Sequence, residues 1–509
     1  MPSVPRSVQP REVRRAVLEL DRRLEPLDRA ILTADWDLYT GRSSRGASRW
    51  QLARAKLLSA PGLLDWVRHA RRQEPPRLIA RRLKLLERAI LDTLVEQDPE
   101  VVRLRDELQQ AIVAFRPLWD GRRVNREVLY RTLRTDPDAR RRRRALYAFE
   151  PLYRPLERRF VRLVRLRNEK ARAQGFRSFP EMRLGFQGFS SERILELASS
   201  AATAVPEHAR RLRDRRIGGG SGEGWHRWDL RYALERTAAL PERSFPASSM
   251  LLRILRAVRE WGFRTDRMRF RVVFHDLPAG GLTLAPDPPD DIRILVHPRG
   301  GWDAYMVMFH EVGHAVQSAS IRSPGHLLRW HENIPGFGGY HEGIGGLFEE
   351  IPRDRAWIAD QPGIGREQAE RFAEARDDAA LLNVGWLNPW IRTELSLYRN
   401  PERDPSEEAQ RWERRLFGFD DSPPTSFLES FYVADPVYAP NYLLAALFHH
   451  QLARSICDEL GEPLWPNPKV GPWLTRNWFA PGSLVEWVPH LREVTGRPFS
   501  ARAFRERFR

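Results

Sequence analysis

Cysteine is almost absent: Cys457 is the only one in 509 residues. A single thiol excludes an intramolecular disulfide and any cysteine-based zinc site. Long apolar runs are missing too. No stretch approaches the roughly 18 apolar residues that mark a membrane-spanning helix. The opening Met1-Pro2-Ser3-Val4-Pro5-Arg6 lacks the apolar core of a secretory signal. The expectation is a soluble cytoplasmic protein with no membrane partner. Lysine is scarce, since only Lys56, Lys84, Lys170 and Lys469 among the 84 basic residues are lysines and the rest are arginines. The formal charge of +17 invites a nucleic-acid reading, because basic surfaces bind phosphate through counterion release. The arginines are scattered beside acidic residues, however, which reads as a compositional bias compatible with heat tolerance and with no nucleic-acid partner. Their densest run, Arg140 to Arg144, precedes Ala145-Leu146-Tyr147 and reads as the solvated side of a helix.

The most informative stretch is Val307-Met308-Phe309-His310-Glu311-Val312-Gly313-His314-Ala315-Val316. It is His-Glu-x-x-His inside an apolar helical run. Helical geometry stacks His310 and His314 on one face, where they can grip one metal ion. Glu311, next to the first histidine, stands where a carboxylate can serve as general base without being a ligand. Phe309, Val312, Val316 and Ala319 recur at the spacing of a buried stripe, so this helix is expected to be anchored in a core. A catalytic zinc takes three protein ligands and keeps a position open, and two histidines plus one glutamate is an established set. After a loop rich in glycine and aromatics, His341-Glu342-Gly343-Ile344-Gly345-Gly346-Leu347-Phe348-Glu349-Glu350 reads as a second buried helix. Glu342 is the expected third ligand, for one zinc ion per chain. Asp303, seven residues before His310, has two readings: an orienting partner for a ligand histidine, or a cap of the helix.

His341-Glu342-Gly343-Ile344-Gly345 resembles the segment of the angiotensin-converting-enzyme family whose glutamate binds zinc. A second likeness lies upstream. Leu166-Arg167-Asn168 on a charged helix, followed by Gly175-Phe176-Arg177-Ser178-Phe179, is similar to a stretch shared by that family and the thimet oligopeptidases. It also reads simply as a helix, a glycine cap and a turn. Trp228-Asp229-Leu230-Arg231-Tyr232 resembles the Trp-Asp-x-x-Tyr stretch of oligopeptidases, with Trp228 read as a core aromatic. In Phe431-Tyr432-Val433-Ala434-Asp435-Pro436-Val437-Tyr438-Ala439-Pro440-Asn441-Tyr442 the same families place a histidine and two tyrosines. The resemblance implies Tyr442 as donor to the oxyanion and Tyr438 as a substrate contact. Tyr432 stands where the families have histidine and is read as substrate-binding as well. Gly346 stands where the converting enzymes have aspartate. Tyr438-x-Pro440-x-Tyr442 with Leu447 and Gln451, and His341-Glu342 with Leu347-Phe348-Glu349, also look like the Taq-type thermostable carboxypeptidases.

The rest of the chain supports a mainly helical protein. Leu18, Leu20, Leu24 and Leu27 fall at helical intervals, as do Leu85, Leu86, Ile90, Leu91 and Leu94. Phe270-Arg271-Val272-Val273-Phe274 and Ile292-Arg293-Ile294-Leu295-Val296 read as strands just before the metal helix. The segment from His275 to Leu284 is a candidate wall for an extended peptide. The glycine-rich stretch Ile217 to Gly224 has no phosphate-loop lysine and reads as a surface loop. It separates residues 1–217, a helical N-terminal half, from residues 225–509, a metal-binding catalytic half, the two forming one catalytic unit. The resemblance implies a two-lobed helical zinc-peptidase fold with a deep central cleft and a small β-sheet beside the metal helix. It implies zinc-dependent hydrolysis of short peptides, of oligopeptidase or peptidyl-dipeptidase type. The alternatives are a metallocarboxypeptidase releasing single C-terminal residues and a catalytically weak peptide-binding scaffold. Nothing in the sequence indicates an oligomeric state.

Overall fold

The computed structural model describes residues 9–217, 224–236, 239–276, 280–329, 334–420 and 430–508. The core of the glycine-rich stretch, residues 218–223, and part of the candidate peptide wall, residues 277–279, lie outside the described residues. Helices dominate, and no described helix is long and apolar enough to cross a membrane. The chain forms two compact units, each drawn from three segments. The first comprises Met1–Gln97, Pro241–Ile364 and Phe448–Phe499, and the second Asp98–Leu240, Gly365–Leu447 and Ser500–Arg509.

In the first unit, the helix Pro10–Tyr39 buries Val13, Val17, Leu20, Leu24, Ile31 and Trp36 along one side. The same side carries two buried carboxylates. Asp21 accepts from Arg82 Nε at 2.9 Å and from the Leu327 amide at 2.7 Å, and Asp28 pairs with Arg54 at 2.7 Å and His326 at 2.6 Å. Burial is tolerable for these charges because each is met by several donors. The helix Arg77–Glu96 buries Leu85, Leu86, Ile90 and Leu91 as the periodicity predicts and leaves Leu94 half-buried. It also carries Arg81 and Arg88, which, with Lys84, converge on Glu486 and hold its carboxyl down to about 2 against the effect of burial.

The expected strands are present, at Phe270–Phe274 and Asp291–Val296, and they pair in parallel. A third strand, Gly281–Asp287, lies antiparallel on the other side of Asp291–Val296 with Thr283 opposite Ile294. Side chains alternate between the faces of a strand. Leu282 and Leu284 pack with Leu295, Leu32 and Trp36 on one face, and Thr283 is turned to the opposite face and the helix Trp302–Ala319. That helix is anchored by Phe309, Val312 and Val316, each without exposed surface, and by Ala319.

In the second unit the arginine run forms the helix Ala139–Tyr147; Arg140, Arg143 and Arg144 are exposed, as expected of the solvated side of a helix, and the reading needs correction at one position. Arg142 is completely buried. Its Nη2 donates to Asp229 Oδ1 at 2.5 Å and its Nη1 to the carbonyls of Asp136 and Pro137. The helix Glu157–Ala173 ends before Gly175, whose φ of 92° suits a residue without a Cβ. Its Arg167 and Asn168 are buried clamps. Arg167 donates to the carbonyls of Tyr432 and Val433, and Asn168 donates to Tyr398 O and accepts from the Phe179 amide. Trp228 is buried, as expected, and stacks on His226.

Candidate metal centre

Two helices of the first unit bring the predicted ligands together. His310 and His314 lie on Trp302–Ala319 with ring centroids 4.6 Å apart and planes at 86°. Glu342 comes from the first turns of Gly338–Phe348. One ligand atom each from His310, His314 and Glu342 lie within 4.8 Å of one another, and His310 Nε2 is 3.4 Å from Glu342 Oε2. The helices approach closely because residue 345 is glycine: a Cβ there would sit 2.4 Å from His310 Cε1.

His310 uses its other nitrogen on a carboxylate absent from the sequence-based assignment. Its Nδ1 is 2.9 Å from Glu349 Oε1, and Glu349 Oε2 accepts from Arg353 Nη2 at 2.8 Å. A carboxylate on the far nitrogen of a ligand histidine sets its tautomer and orientation. Glu349 therefore holds the place considered for Asp303, which lies exposed in the first turn of its helix with Gly301 at the N-cap. The signal was present, since Glu349 follows Glu342 by seven residues, two turns along one helical face.

The protonation of the cluster suits a cation. Burial lowers the pKa of His314 far below its usual value, with help from His341 and His310, and pushes His341, stacked 3.6 Å away, down to about 4. Both rings are neutral at pH 7. Burial opposes charge on His310 too, but its hydrogen bonds to Glu342 and Glu349 prevail and raise its pKa. A cation bound at His310 Nε2 would replace that proton between the same carboxylates. His314 Nδ1 is buried with no hydrogen-bond partner among the described residues. Two imidazoles, one carboxylate and a second carboxylate behind the first imidazole fit zinc by donor type. We predict that Glu349→Ala weakens zinc affinity by about 10- to 100-fold, measured by competition with a chromogenic chelator; unchanged affinity would refute the orienting role.

Glu311 lies beside the ligands and is buried, 8% exposed. Its Oε2 is 2.6 Å from the hydroxyl of Thr283, on the neighbouring strand. Burial raises its pKa, opposed by His310 and by the Thr283 hydrogen bond.

The three predicted tyrosines belong to the second unit. Tyr438 and Tyr442 are half-buried and meet edge to face at 5.4 Å. Tyr432 is 3% exposed, and its hydroxyl donates to Trp390 O at 2.8 Å. The hydroxyl read as substrate-binding thus has a backbone partner. The segment is pinned from several sides. Arg167 holds the carbonyls of Tyr432 and Val433, and Gln187 donates to Asn441 Oδ1. Val437, a β-branched residue, is held at φ 60°, a strained conformation for its type. Its amide donates to Oε1 of the buried Glu394 at 2.6 Å.

Burial lifts the Glu394 carboxyl to about 7, against the Val437 amide and the charges of Arg167 and Arg183. The folded chain thus keeps this proton to a higher pH than the unfolded chain, and stability falls as pH rises from about 4.5 to 7. Glu394→Gln keeps the acceptor without the charge. It should match the parent near pH 4.5 and exceed it by roughly 3 kcal/mol at pH 8. Urea unfolding at the two pH values checks this, and an equal difference at both would refute it.

No protein-family model and no curated protein sequence matches the chain. Solved structures share its fold over nearly its whole length. Trypanosoma cruzi metallocarboxypeptidase 1 superposes with a TM-score of 0.69 at 17% identity, covering 99% of each chain. A Pyrococcus furiosus carboxypeptidase gives 0.68 at 16% identity, covering 99% of each. The M32 carboxypeptidase of Deinococcus radiodurans R1 gives 0.67 at 15% identity, covering 98% of each. The fold is therefore the mainly helical one of the M32, Taq-type metallocarboxypeptidases. Of the resemblances legible in the sequence, the structural likeness is to the carboxypeptidase one.

Proposed function

We propose that this protein is a zinc-dependent metallocarboxypeptidase that removes single residues from the C-terminus of short peptides. The observation that carries this reading is the convergence of His310, His314 and Glu342, with Glu311 beside them, on a chain whose fold is shared end to end with metallocarboxypeptidases. The same fold likeness favours single-residue release over the oligopeptidase or peptidyl-dipeptidase action also considered from sequence.

His310, His314 and Glu342 would hold zinc, which supplies Lewis acidity and lowers the pKa of water at that position. Glu311 takes the proton of the attacking water and hands it to the leaving amine. Thr283, by its hydrogen bond to Oε2, limits the rotation of that carboxylate. Glu349 keeps His310 in the tautomer whose Nε2 faces Glu342. Tyr442 is assigned as donor to the oxyanion and Tyr438 as a substrate contact, and Tyr432, with its hydroxyl on Trp390 O, supports the segment.

The test combines metal analysis with mass spectrometry of products from a peptide library, before and after chelation. Tightly held zinc and a ladder of single C-terminal losses, abolished by chelation and by C-terminal amidation, is the expected result. Release of dipeptides or internal fragments would replace the carboxypeptidase assignment with one of the other peptidase types. Zinc without cleavage would leave a peptide-binding scaffold, and no zinc would remove the proposal.

A further inference from the structure

The helix Ala439–Leu460 carries two consecutive histidines, His449 and His450, in a stretch otherwise built from core residues such as Leu447, Phe448 and Leu452. They are only 6% and 9% exposed, and burying imidazole is costly without a polar partner. Consecutive residues on a helix point about 100° apart. Here the two rings nevertheless lie 4.0 Å apart, and one atom from each, with one carboxylate oxygen of Glu350, lie within 4.8 Å of one another. His449 Nε2 is 3.4 Å from Glu350 Oε1. The cluster has a place prepared for it: a Cβ on Gly346 would sit 2.7 Å from His449 Nδ1, so the glycine standing where converting enzymes have aspartate makes room for this ring. All four residues belong to the first unit.

We infer that Glu350, His449 and His450 form a second divalent-cation site, separate from the His310, His314 and Glu342 centre. Two imidazoles and one carboxylate select borderline cations of the zinc, cobalt or nickel class over magnesium or calcium, which prefer all-oxygen shells. The competing cation is Arg353, whose Nη1 is 3.4 Å from Glu350 Oε1. Its shorter contact is to Glu349, at 2.8 Å. A metal ion can therefore take the Glu350 oxygen while the guanidinium stays on Glu349. Sharing with Arg353 makes this the weaker of the two sites, filled after the first.

The test is a Co²⁺ titration of protein already loaded with zinc and freed of excess, followed by calorimetry and visible absorption. The expected result is one further equivalent with the ligand-field bands of a nitrogen and oxygen site. Magnesium should not compete. The His449→Ala/His450→Ala double variant should lose that equivalent and keep the tightly bound zinc. Glu350→Gln, nearly isosteric and suited to the case where the double variant does not fold, should weaken the second binding at least tenfold with an unchanged circular dichroism spectrum. Absence of a second equivalent in the parent, or its retention in a folded double variant, would overturn the inference and leave the trio a buried ion-pair network.

Discussion

Glu311→Gln should keep its zinc and lose about 10²- to 10⁴-fold in kcat, the contribution typical of a positioned general base. The amide is nearly the size of the carboxylate and can still accept from Thr283, whose hydroxyl lies 2.6 Å from Oε2, so packing is preserved and only proton transfer is removed. Glu311 is not among the three residues that converge as ligands, which is why metal content should not change. Zinc analysis and single-turnover peptide cleavage on the same preparation separate the outcomes. Loss of both zinc and activity would make Glu311 a determinant of the metal site, and cleavage within a few fold of the parent would remove it as the base. Thr283→Val should show a smaller loss, since it frees the carboxylate without removing it.

The second large effect concerns stability. Asp229→Ala should cost roughly 3–5 kcal/mol, the range for removing one partner of a buried ion pair. Neither Asp229 nor Arg142 has exposed surface. Asp229 Oδ1 takes the Arg142 guanidinium, and Oδ2 accepts from the His226 amide. Without the carboxylate, Arg142 keeps the carbonyls of Asp136 and Pro137 and the face of Tyr232, 4.3 Å away. These are neutral partners, and among the described residues no other carboxylate pairs with the buried cation. Replacing both charges, as in Arg142→Met/Asp229→Leu, should cost much less, because the penalty belongs to the orphaned charge more than to the loss of attraction. Urea unfolding of the single and double variants decides the point. A single variant within about 1 kcal/mol of the parent would show that water or a nearby group replaces the carboxylate.

Short-range pattern carried much of the architecture. The apolar stripe of Phe309, Val312, Val316 and Ala319 is buried, and the strands at Phe270–Phe274 and Asp291–Val296 stand where β-branched runs end in turn residues. Where that reading fell short, the cause was a partner distant in the chain. The run Arg140 to Arg144 reads as the solvated side of a helix because charge patterning sees only neighbours. Its middle member is buried because Asp229, 87 residues on, meets it. Glu394 looks like one more charge in a long helix until the Val437 amide, 43 residues away, is found on its carboxylate. Gly346 looks like a departure from a family pattern until His449 is seen filling the space a side chain would take.

The sequence by itself determined the helical class and the pairing of His310 with His314, because both follow from periodicity along one element: a spacing of four on a helix stacks two side chains whatever surrounds them. It also pointed to Glu342, through a local motif. Only the tertiary structure decided that Glu349 orients His310, that Thr283 holds Glu311, and that Glu350 meets His449 and His450. Those contacts join residues 28 to 100 positions apart, and their geometry depends on how helices and strands pack, which no local periodicity encodes.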